Sequence, residues 1–417
     1  MRRNRLIKLA SVVTVACLGA ALSVVPAGAQ GAGGLVIGSL APETGDLSAI
    51  VESLRTPVQI AVDEINAAGG VGGADVTFVT GDDGTDPEVA GQSLDTLVTS
   101  DKANIIIGPA SSGTALGILP KIKTDDVLVC SGSNTSAQLT NDGPKKSGGR
   151  YKRTAPPDGL QGPALSELVL ADGNSNVGIL VRNDSYGVGF GKSLAKALEQ
   201  GGATVVANVA YDPEAASFDA DVQKVADESP DAVVIIGFND DGAKVVQTMI
   251  GKGIGPADIG IYTADGMQGS SFGETVDPAN PGVVAGIKGT APAAAPAGIE
   301  SPFQDVFDAT GVDPIFSSYY YDCTILAALA AVKADSTSAK AMAKAFAKNT
   351  KGSNECNTFS TCKDLLESGE KIRYSGASST FENFGKNEPK SGVYEIWSYD
   401  AAAEIVTQDA STQISIG

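Results

Sequence analysis

Short apolar runs alternate with amphipathic stretches from Leu35 onwards, which is the pattern of parallel strands joined by crossover helices. Most of the runs are rich in Val and Ile and are bounded by Gly, Asp, Asn or Pro. The predicted strands are Leu35–Ser39, Val76–Thr80, Asn104–Ile107, Val127–Cys130, Val177–Val181, Thr204–Val209, Ala232–Ile236, Ile259–Tyr262 and Val283–Ile287. This alternation predicts an α/β fold with doubly wound parallel sheets, in which ligands bind beyond the carboxyl ends of the strands.

Helices are predicted between the strands from capping signals and apolar stripes. Thr56 and Pro57 predict the N-cap and first residue of a helix that carries Val58 and Ile65 on one face and stops at Gly69. The other predicted helices are Ala115–Lys121, Ser193–Gln200, Phe218–Ala226, Asp241–Ile250 and Tyr320–Lys333.

The strand and helix pattern runs through the chain twice. Arg150–Pro157, which contains two prolines, lies between the two passes and would suit a crossing between lobes. A mature chain of roughly 390 residues is too long for one ordinary core. The sequence therefore predicts two lobes.

Residues 1–29 have the three parts of a secretory signal peptide. A basic start is followed by the apolar stretch Leu9–Val25 and by the small residues Ala27–Ala29 as a cleavage site. We expect the mature protein to begin near Gln30 and to be exported, either periplasmic or associated with the cell surface. An uncleaved anchor and lipidation of Cys17 are the alternatives, although the apolar stretch is short for a membrane span.

The charge of the chain restricts its partners and its chemistry. A net charge of −19 with no histidine argues against nucleic acid as a partner and removes the commonest general base and metal ligand. Carboxylates are plentiful, but no pair is singled out for catalysis. The acidic run at residues 82–86 predicts a solvated turn with capping roles, with a weak calcium site as the alternative. We therefore predict no enzymatic activity, no cofactor and no metal site.

Export makes the mature cysteines candidates for disulfides. Cys356 and Cys362 lie in one polar stretch and are predicted to staple a single loop. Cys130 ends an apolar strand and Cys323 opens an apolar helix, so these two either pair or remain as buried thiols. We expect them to pair.

Two loops of small, hydroxyl-bearing residues follow neighbouring predicted strands. Gly108–Thr114 leads into a helix and can present N–H groups and hydroxyls to an anion such as a carboxylate. Ser131–Ser136 follows the next strand. Ordinary N-capping explains either loop alone, but two such loops converging at one sheet edge predict a ligand site.

Three later loops carry side chains suited to the same site. Tyr186 and Phe238 follow predicted strands, where aromatic rings can form the walls of a cleft. Asp265 follows the eighth predicted strand. An aspartate in a loop is usually a turn former, but at the mouth of a cleft it could pair with a ligand ammonium.

The order and spacing of these segments resemble the leucine/isoleucine/valine-binding protein family of ABC-transporter receptors, which are periplasmic binding proteins of type I. The resemblance covers essentially the whole mature chain and is carried by Gly38–Gly45, Ala61–Gly73, Asp82–Pro87, Gly108–Thr114, Ser131–Ser136, Asp184–Gly187 and Tyr321–Asp322. It implies two Rossmann-like lobes, with parallel sheets flanked by helices, hinged by three crossing segments. We expect the N-terminal lobe to comprise residues 35–154 and 290–390, and the C-terminal lobe residues 155–289 and 391–417.

The resemblance also implies a small-molecule ligand, expected to be an amino acid. Tyr186 and Phe238 would close over it from the second lobe, and Asp265 would take its ammonium, since a buried unpaired ammonium is costly. Asp265 is one methylene shorter than the glutamate of the best-known members, and Asn134 is bulkier than the alanine expected there, so the ligand is expected to differ from leucine, isoleucine and valine. The ligand carboxylate would be held by the first lobe, through Ala110, Ser111, Ser112, Asn134, Thr135 and Ser136.

The function implied by the resemblance is that of an extracytoplasmic receptor for an ABC importer. We expect a monomer whose protein partners are permease subunits. A ligand-binding sensor of the same fold, a receptor for amides, urea or short-chain carboxylates, and a secreted hydrolase are the alternatives. No signalling domain follows Gly417, which favours the free receptor over the sensor.

Overall fold

The computed structural model describes residues 34–417, so the predicted signal peptide and the alternatives raised by Cys17 lie outside the described residues. The strands are β1 (Val36–Ala41), β2 (Thr77–Asp82), β3 (Ile105–Ile107), β4 (Leu128–Ser131), β5 (Tyr151–Arg153), β6 (Asn176–Arg182), β7 (Thr204–Tyr211), β8 (Ala232–Ile236), β9 (Gly260–Ala264), β10 (Lys288–Pro292), β11 (Asn354–Cys356), β12 (Ile372–Tyr374), β13 (Gly392–Tyr399), β14 (Ile405–Thr407) and β15 (Ile414–Ile416). The α-helices are α1 (Val51–Ala67), α2 (Pro87–Thr99), α3 (Ser112–Thr124), α4 (Gln138–Lys146), α5 (Asp158–Ala171), α6 (Gly187–Gln200), α7 (Asp219–Ala226), α8 (Asn239–Gly251), α9 (Phe272–Val276), α10 (Pro302–Asp308), α11 (Ser317–Ala334), α12 (Ala339–Phe346) and α13 (Phe359–Glu367). Within residues 34–417, no helix is both long and apolar enough to cross a membrane.

The first sheet has the strand order β2-β1-β3-β4-β5, and all its pairs are parallel. Its strands are apolar because both faces are covered. Ile106 of β3 packs in the core formed with α2 and α3, whereas Ile105 and Ile107 belong to the core formed with α1 and α11. The order of the strands reverses between β1 and β3, so the loops that follow these strands diverge and leave a crevice at their carboxyl ends.

The second sheet repeats this arrangement and extends it. Strands β7-β6-β8-β9-β10 are parallel, and β13, paired with β14 and β15, adds an antiparallel edge beside β10. Leu165 of α5 and Leu194 of α6 cover one face, while Val222 of α7 and Val246 of α8 cover the other. The second crevice lies between β6 and β8. The structure confirms the predicted α/β fold with parallel sheets flanked by helices.

Two predicted elements differ in the structure. The prediction of a strand over Val283–Ile287 is wrong. A 3₁₀ turn occupies Pro281–Val284, and β10 begins at Lys288. A short apolar run does not distinguish a strand from a turn whose apolar side chains pack on the core, as Val284 and Ile287 do here. Helix α1 begins at Val51, so Pro57 lies inside it and is not its first residue. A 3₁₀ turn leads directly into this helix. The proline inside the helix has no N–H group, so a single backbone hydrogen bond is lost there.

The described residues contain two disulfides, at the cysteine pairs named from the sequence. Cys130 at the end of β4 is bonded to Cys323 in α11, with a Cα–Cα distance of 5.7 Å, and both residues are fully buried. Cys356 in β11 is bonded to Cys362 in α13. The first bond ties the strand that precedes Ser131–Ser136 to a helix 193 residues away in the sequence, whereas the second closes a separation of 6 residues.

The two disulfides should contribute unequally to stability, because a cross-link that closes a longer loop restricts the unfolded chain more. In the chain-entropy description, loss of the Cys130–Cys323 bond costs about 5 kcal/mol and loss of the Cys356–Cys362 bond about 2 kcal/mol. The double variants Cys130→Ala/Cys323→Ala and Cys356→Ala/Cys362→Ala should show this order in urea unfolding without reductant. Equal losses would contradict it.

Candidate functional site

A cavity lies where the loops that follow strands of both sheets meet. It holds about 540 Å³ of space not filled by atoms, including its open mouth. The loops after β1, β3, β4, β6, β8 and β9 all contribute to it, as the positions of the two crevices require. Its lining is formed by Asp46, Leu47, Ala49, Ile50, Ala110, Ser111, Ser112, Ser133, Thr135, Tyr186, Phe238, Asn239, Asp265, Gly266, Gln268 and Phe316.

Of the site residues predicted from the sequence, the structure brings seven into this lining and leaves two outside it. The two outside are Asn134 and Ser136. The seven that line the cavity are Ala110, Ser111, Ser112, Thr135, Tyr186, Phe238 and Asp265.

The loop after β3 is shaped by close backbone packing. Gly108 has a φ of 122°, and a Cβ at this position would lie 2.0 Å from the carbonyl oxygen of Leu40, so only glycine fits. The next part of the loop is held by Asp83, whose Oδ2 accepts the N–H of Ala110 at 2.8 Å. Burial raises the pKa of Asp83 to about 6. Asp83 therefore supports the loop from beneath.

The acidic run that contains Asp83 has structural roles. Asp86 caps α2 by accepting the N–H groups of Glu88 and Val89, and Asp82 accepts the N–H of Gly84. The predicted capping roles are confirmed, whereas the predicted solvated position is wrong for Asp83, which is fully buried beneath the loop that it holds. Within residues 34–417, no cluster of three or more Asp, Glu, Cys or His side chains is placed to hold a metal ion.

Two serines join the loops after β3 and β4. The Oγ of Ser111 caps α3 by accepting the N–H of Thr114 at 3.1 Å. The Oγ of Ser112 accepts the N–H groups of Thr135 and Ser136 at 3.2 and 3.1 Å. The Ser112 hydroxyl hydrogen and the first N–H groups of α3 therefore remain as donors, whereas the amides of Thr135 and Ser136 are already in use.

Asn134 and Ser136 brace the loops from outside the cavity. The Nδ2 of Asn134 donates to the carbonyl oxygen of Ala110 at 2.7 Å, and its Oδ1 accepts the hydroxyl of Tyr151 at 2.9 Å. The Oγ of Ser136 donates to the carbonyl oxygen of Ser185 at 2.8 Å, which links the loops after β4 and β6. These side chains make bracing contacts in place of the predicted ligand contacts, because a fully buried amide or hydroxyl must satisfy neighbouring backbone groups.

Aromatic rings form one wall of the cavity. Tyr186 and Phe238 stack with ring centroids 5.7 Å apart and planes inclined by 15°. Burial, together with the negative charge of Asp265, raises the pKa of Tyr186 well above its ordinary value, so it is a neutral phenol. Its hydroxyl has no hydrogen-bond partner among the described residues. The lining therefore offers flat apolar surface with one free hydroxyl.

Arg182, at the end of β6, holds this wall and reaches across to the first sheet. Its guanidinium carbon lies 3.7 Å from the centre of the Phe238 ring. Its nitrogens form ion pairs with Asp184 at 2.6 Å, Asp241 at 2.8 Å and Asp46 at 3.2 Å. Asp46 belongs to the loop after β1, so this pair joins loops of the two sheets.

Two acidic residues line the cavity: Asp46, which is paired with Arg182, and Asp265. Gln161 of α5 donates its Nε2 to Asp265 Oδ1 at 2.6 Å and to the carbonyl oxygen of Thr290 at 3.0 Å. Burial raises the pKa of Asp265 to about 6, against the lowering effect of the hydrogen bond from Gln161. Among residues 34–417, no lysine or arginine lines the cavity, so this carboxylate has a hydrogen-bond donor but no cation there. A ligand with a positive group would supply the missing charge.

A second buried carboxyl, Asp158, lies close to the first and was not found from the sequence. It begins α5, its N–H donates to the carbonyl oxygen of Thr135, and neither carboxyl oxygen has a hydrogen bond of normal geometry. Burial raises its pKa well above the ordinary value; the Thr135 hydroxyl lowers it and the charge of Asp265 raises it.

Several lining residues were also missed from the sequence. Asn239 directly follows Phe238, and Gln268 lies three positions after Asp265. Both would have been found if the predicted site had included one further turn of each loop. Phe316 precedes α11 in a region without a predicted strand, and no sequence signal marks it.

Comparison with known sequences gives a consistent result. A family model described as periplasmic binding protein matches residues 34–360. The chain is 26% identical over 366 residues to the substrate-binding protein BasB of a chemotactic signal transduction system of Halobacterium salinarum, covering 86% of this chain and 85% of that protein. It is 28% identical over 239 residues to the Leu/Ile/Val-binding protein BraC3 of Rhizobium johnstonii, covering 57% and 63%.

Solved structures share the fold. The leucine-binding protein LivK of Thermotoga maritima superposes with a TM-score of 0.73 at 19% identity, covering 92% of this chain and 99% of that one. A solute-binding protein of an ABC transporter from Rhodopseudomonas palustris, solved with 4-hydroxybenzoate, gives a TM-score of 0.69 at 15% identity, covering 90% and 96%. At these identities the likeness shows the common fold.

Ionised Asp265 should destabilise the ligand-free protein at neutral pH. Its pKa is about 6 when folded and 3.8 in the reference state, so the folded state gains stability as the pH falls from above 6 towards 4. Asp265→Asn keeps the acceptor for Gln161 and removes the charge. The variant should therefore raise the free energy of unfolding at pH 8 by about 2 to 3 kcal/mol and leave it nearly unchanged below pH 4.

Urea unfolding at the two pH values tests this expectation. Asp227→Asn is the matched control, because Asp227 accepts from Gln223 at 2.7 Å in an exposed pair. An equal effect of Asp265→Asn at both pH values would contradict a buried charge.

Proposed function

The chain belongs to the periplasmic binding protein family, and we propose that it is an exported receptor that binds one amino acid in the cavity by closing two lobes around it. The observation that carries the proposal is the buried carboxylate of Asp265, which has no cationic partner in a cavity whose other loops offer donors. An α-amino acid presents both complementary groups within a few ångströms.

The carboxylate end of the ligand is assigned to the loops after β3 and β4. Donors there are the Ser112 hydroxyl and the N–H groups in the first turn of α3, where the helix dipole also favours an anion. Ser111 and Thr135 complete this end of the lining.

The ammonium end is assigned to Asp265. Gln161 holds one carboxylate oxygen, so the other is left for the ligand. Tyr186 and Phe238 cover the bound molecule, which removes water and strengthens the charge pair.

The lobes are proposed to follow the boundaries expected from the sequence, with one adjustment. Residues 35–154 with 290–390 form one lobe and residues 155–289 with 391–417 the other, except that all of β10 lies in the second sheet. The three crossings between them provide the hinge.

The receptor is proposed to deliver its ligand to permease subunits of an ABC importer, as a monomer outside the cytoplasm. Relatives named as Leu/Ile/Val-binding proteins support this reading. A sensor role is the second candidate, because the relative from Halobacterium salinarum is named for chemotactic signal transduction. Either role involves ligand binding without turnover, so recovery of chemically unchanged ligand would argue against a hydrolase.

The first experiment is a thermal-shift screen of the mature protein followed by calorimetry. We expect one or a few α-amino acids to stabilise the fold, by about 2.7 kcal/mol at a hundred times the dissociation constant. Benzoates, amides, urea and short-chain carboxylates complete the panel, because one neighbour of the same fold was solved with 4-hydroxybenzoate. A shift from a benzoate, with none from amino acids, would reject the proposal and favour an aromatic-acid receptor.

Asp265→Asn should weaken binding of the amino acid found in the screen by about 2 to 5 kcal/mol, because it removes the partner of a buried ammonium. Wild-type affinity should also fall as the pH drops below about 6, where Asp265 becomes protonated. Calorimetry at pH 5 and pH 8 measures both effects, with Asp227→Asn as the control. Undiminished affinity in Asp265→Asn would remove this residue from the ammonium site.

A further inference from the structure

A row of lysines lies on α12 and on the 3₁₀ turn that follows it. The sequence of this segment runs Ala-Lys-Ala-Met, Ala-Lys-Ala-Phe and Ala-Lys. Lys340, Lys344 and Lys348 are exposed, whereas Met342 and Phe346 are fully buried. Because residues four positions apart share one face of a helix, the lysines line one side of the segment and the apolar side chains the other.

Three lysines from neighbouring elements extend this row. Lys333 lies in the last turn of α11, Lys351 follows the 3₁₀ turn, and Lys371 directly precedes β12. The 3₁₀ turn packs against both α11 and β12. Burial lowers the pKa of Lys333, and the charges of Lys348 and Lys371 lower it further, so these ammonium groups lie within electrostatic reach of one another. We name the six side chains the lysine face: Lys333, Lys340, Lys344, Lys348, Lys351 and Lys371.

The lysine face is poorly compensated by acidic side chains. Among the described residues none of its six ammonium groups forms an ion pair, and Glu355 and Glu382 are paired with Arg373 instead. Residues 333–351 hold five lysines and a single acidic residue, Asp335. Like charges four residues apart on a helix repel each other, and the intervening alanines do nothing to relieve this. A negatively charged partner outside the chain would relieve it.

The lysine face is remote from the ligand cavity. Helix α11 begins directly after Phe316, which lines the cavity, and runs for 18 residues to Ala334. At about 1.5 Å per residue, Lys333 lies about 25 Å from the cavity end of this helix. A partner bound to the lysine face would therefore not fill the cavity.

The net charge of −19 opposes a negatively charged partner only weakly at ordinary salt. Exposed charges act strongly over no more than the Debye length, which is about 8 Å at physiological ionic strength. Only the side chains that face a bound surface within this distance contribute much to its binding. The positive sign of the lysine face therefore matters more there than the total charge of the chain.

We propose that the lysine face is a docking surface for an anionic lipid bilayer. Its lysines come from α11, α12, the 3₁₀ turn and the segment before β12, so they spread over an area and do not form a single line. A flat anionic surface meets all of them, whereas a narrow polyanion follows one row. The apolar side of α12 is buried in the protein, so the contact is made by charge and not by insertion into the bilayer.

Sedimentation of the mature protein with vesicles tests the proposal. Vesicles of mixed phosphatidylglycerol and phosphatidylcholine are compared with vesicles of phosphatidylcholine alone. The salt concentrations are about 0.1 M and about 1 M, where the Debye length is about 10 Å and about 3 Å. We expect binding to the anionic vesicles at the lower salt, and little binding to neutral vesicles or at the higher salt. Long-chain polyphosphate is tested in parallel as a soluble polyanion.

Variants then assign the binding to the lysine face. Each lysine near an anionic surface strengthens binding by about fivefold, so Lys340→Gln/Lys344→Gln/Lys348→Gln should bind about 100-fold more weakly. Glutamine has a helix propensity close to that of lysine, so the variant should fold. Arginine at the same three positions keeps the charge and should keep the binding.

The matched control is Lys192→Gln/Lys196→Gln/Lys244→Gln. It removes the same charge from exposed positions of α6 and α8, the helices that cover the second sheet. We expect this control to bind the anionic vesicles as the wild type does, because the removed charges lie outside the lysine face.

Several outcomes would overturn the proposal. They are the absence of wild-type binding to anionic vesicles at the lower salt, equal binding to neutral vesicles, and an equal loss of binding in the glutamine variant and its matched control. Undiminished binding in the glutamine variant would overturn it too. Binding to polyphosphate without binding to vesicles would also overturn it, and would assign the lysine face to a soluble polyanion. None of these results bears on the proposed amino-acid receptor, which is judged by ligand binding alone.

Discussion

Polar groups in the loops after β3 and β4 are buried, and the cavity depends on how these groups are satisfied. Loops that leave parallel strands lose the hydrogen bonds of the sheet, so their N–H and C=O groups need side-chain partners. Asp83, Ser112 and Asn134 supply them: Asp83 holds Ala110, Ser112 joins the two loops, and Asn134 binds the same segment from behind. The cavity is thus bounded by loops whose shape is fixed before any ligand arrives.

The two sides of the cavity offer different chemical groups to a ligand. The first-sheet side is built from small hydroxyl-bearing residues and a helix start, and its chemistry is donation of hydrogen bonds. The second-sheet side carries the aromatic rings of Tyr186 and Phe238 and the carboxylate of Asp265, which accepts hydrogen bonds. The amino acid proposed as ligand has this polarity, with an acceptor at one end and a donor at the other.

Much of this arrangement could be predicted from local sequence. Val- and Ile-rich runs such as β3 specify buried parallel strands, and the loops after the strands of one sheet face one edge, so Ser111 could be placed near Thr135, and Tyr186 near Phe238 and Asp265. That the two groups meet in one cavity was implied only by the family resemblance. Which side chain of an irregular loop faces the cavity depends on backbone torsions that composition does not specify. Asn134 and Ser136 consequently lie behind the cavity beside residues that line it.

Other features depend on contacts between distant parts of the chain. Gln268 has a free oxygen because its nitrogen binds Glu395, which is 127 residues away. Strand β13 is positioned by its pairing with β10, and no short-range pattern reports that pairing. The strands and the loops after them could therefore be predicted from the sequence. The donors and acceptors that long-range packing leaves unpaired could not.

The cluster around Arg182 has a consequence for the rate at which ligands arrive. One guanidinium faces the carboxylates of Asp46, Asp184 and Asp241, so this cluster, of which Asp46 lines the cavity, keeps an excess of negative charge on a chain whose net charge is −19. Such a field draws cations inward and repels anions over distances up to the Debye length, about 8 Å at physiological ionic strength. Added salt should therefore slow the association of positively charged solutes and speed that of negatively charged ones, whatever their final affinity.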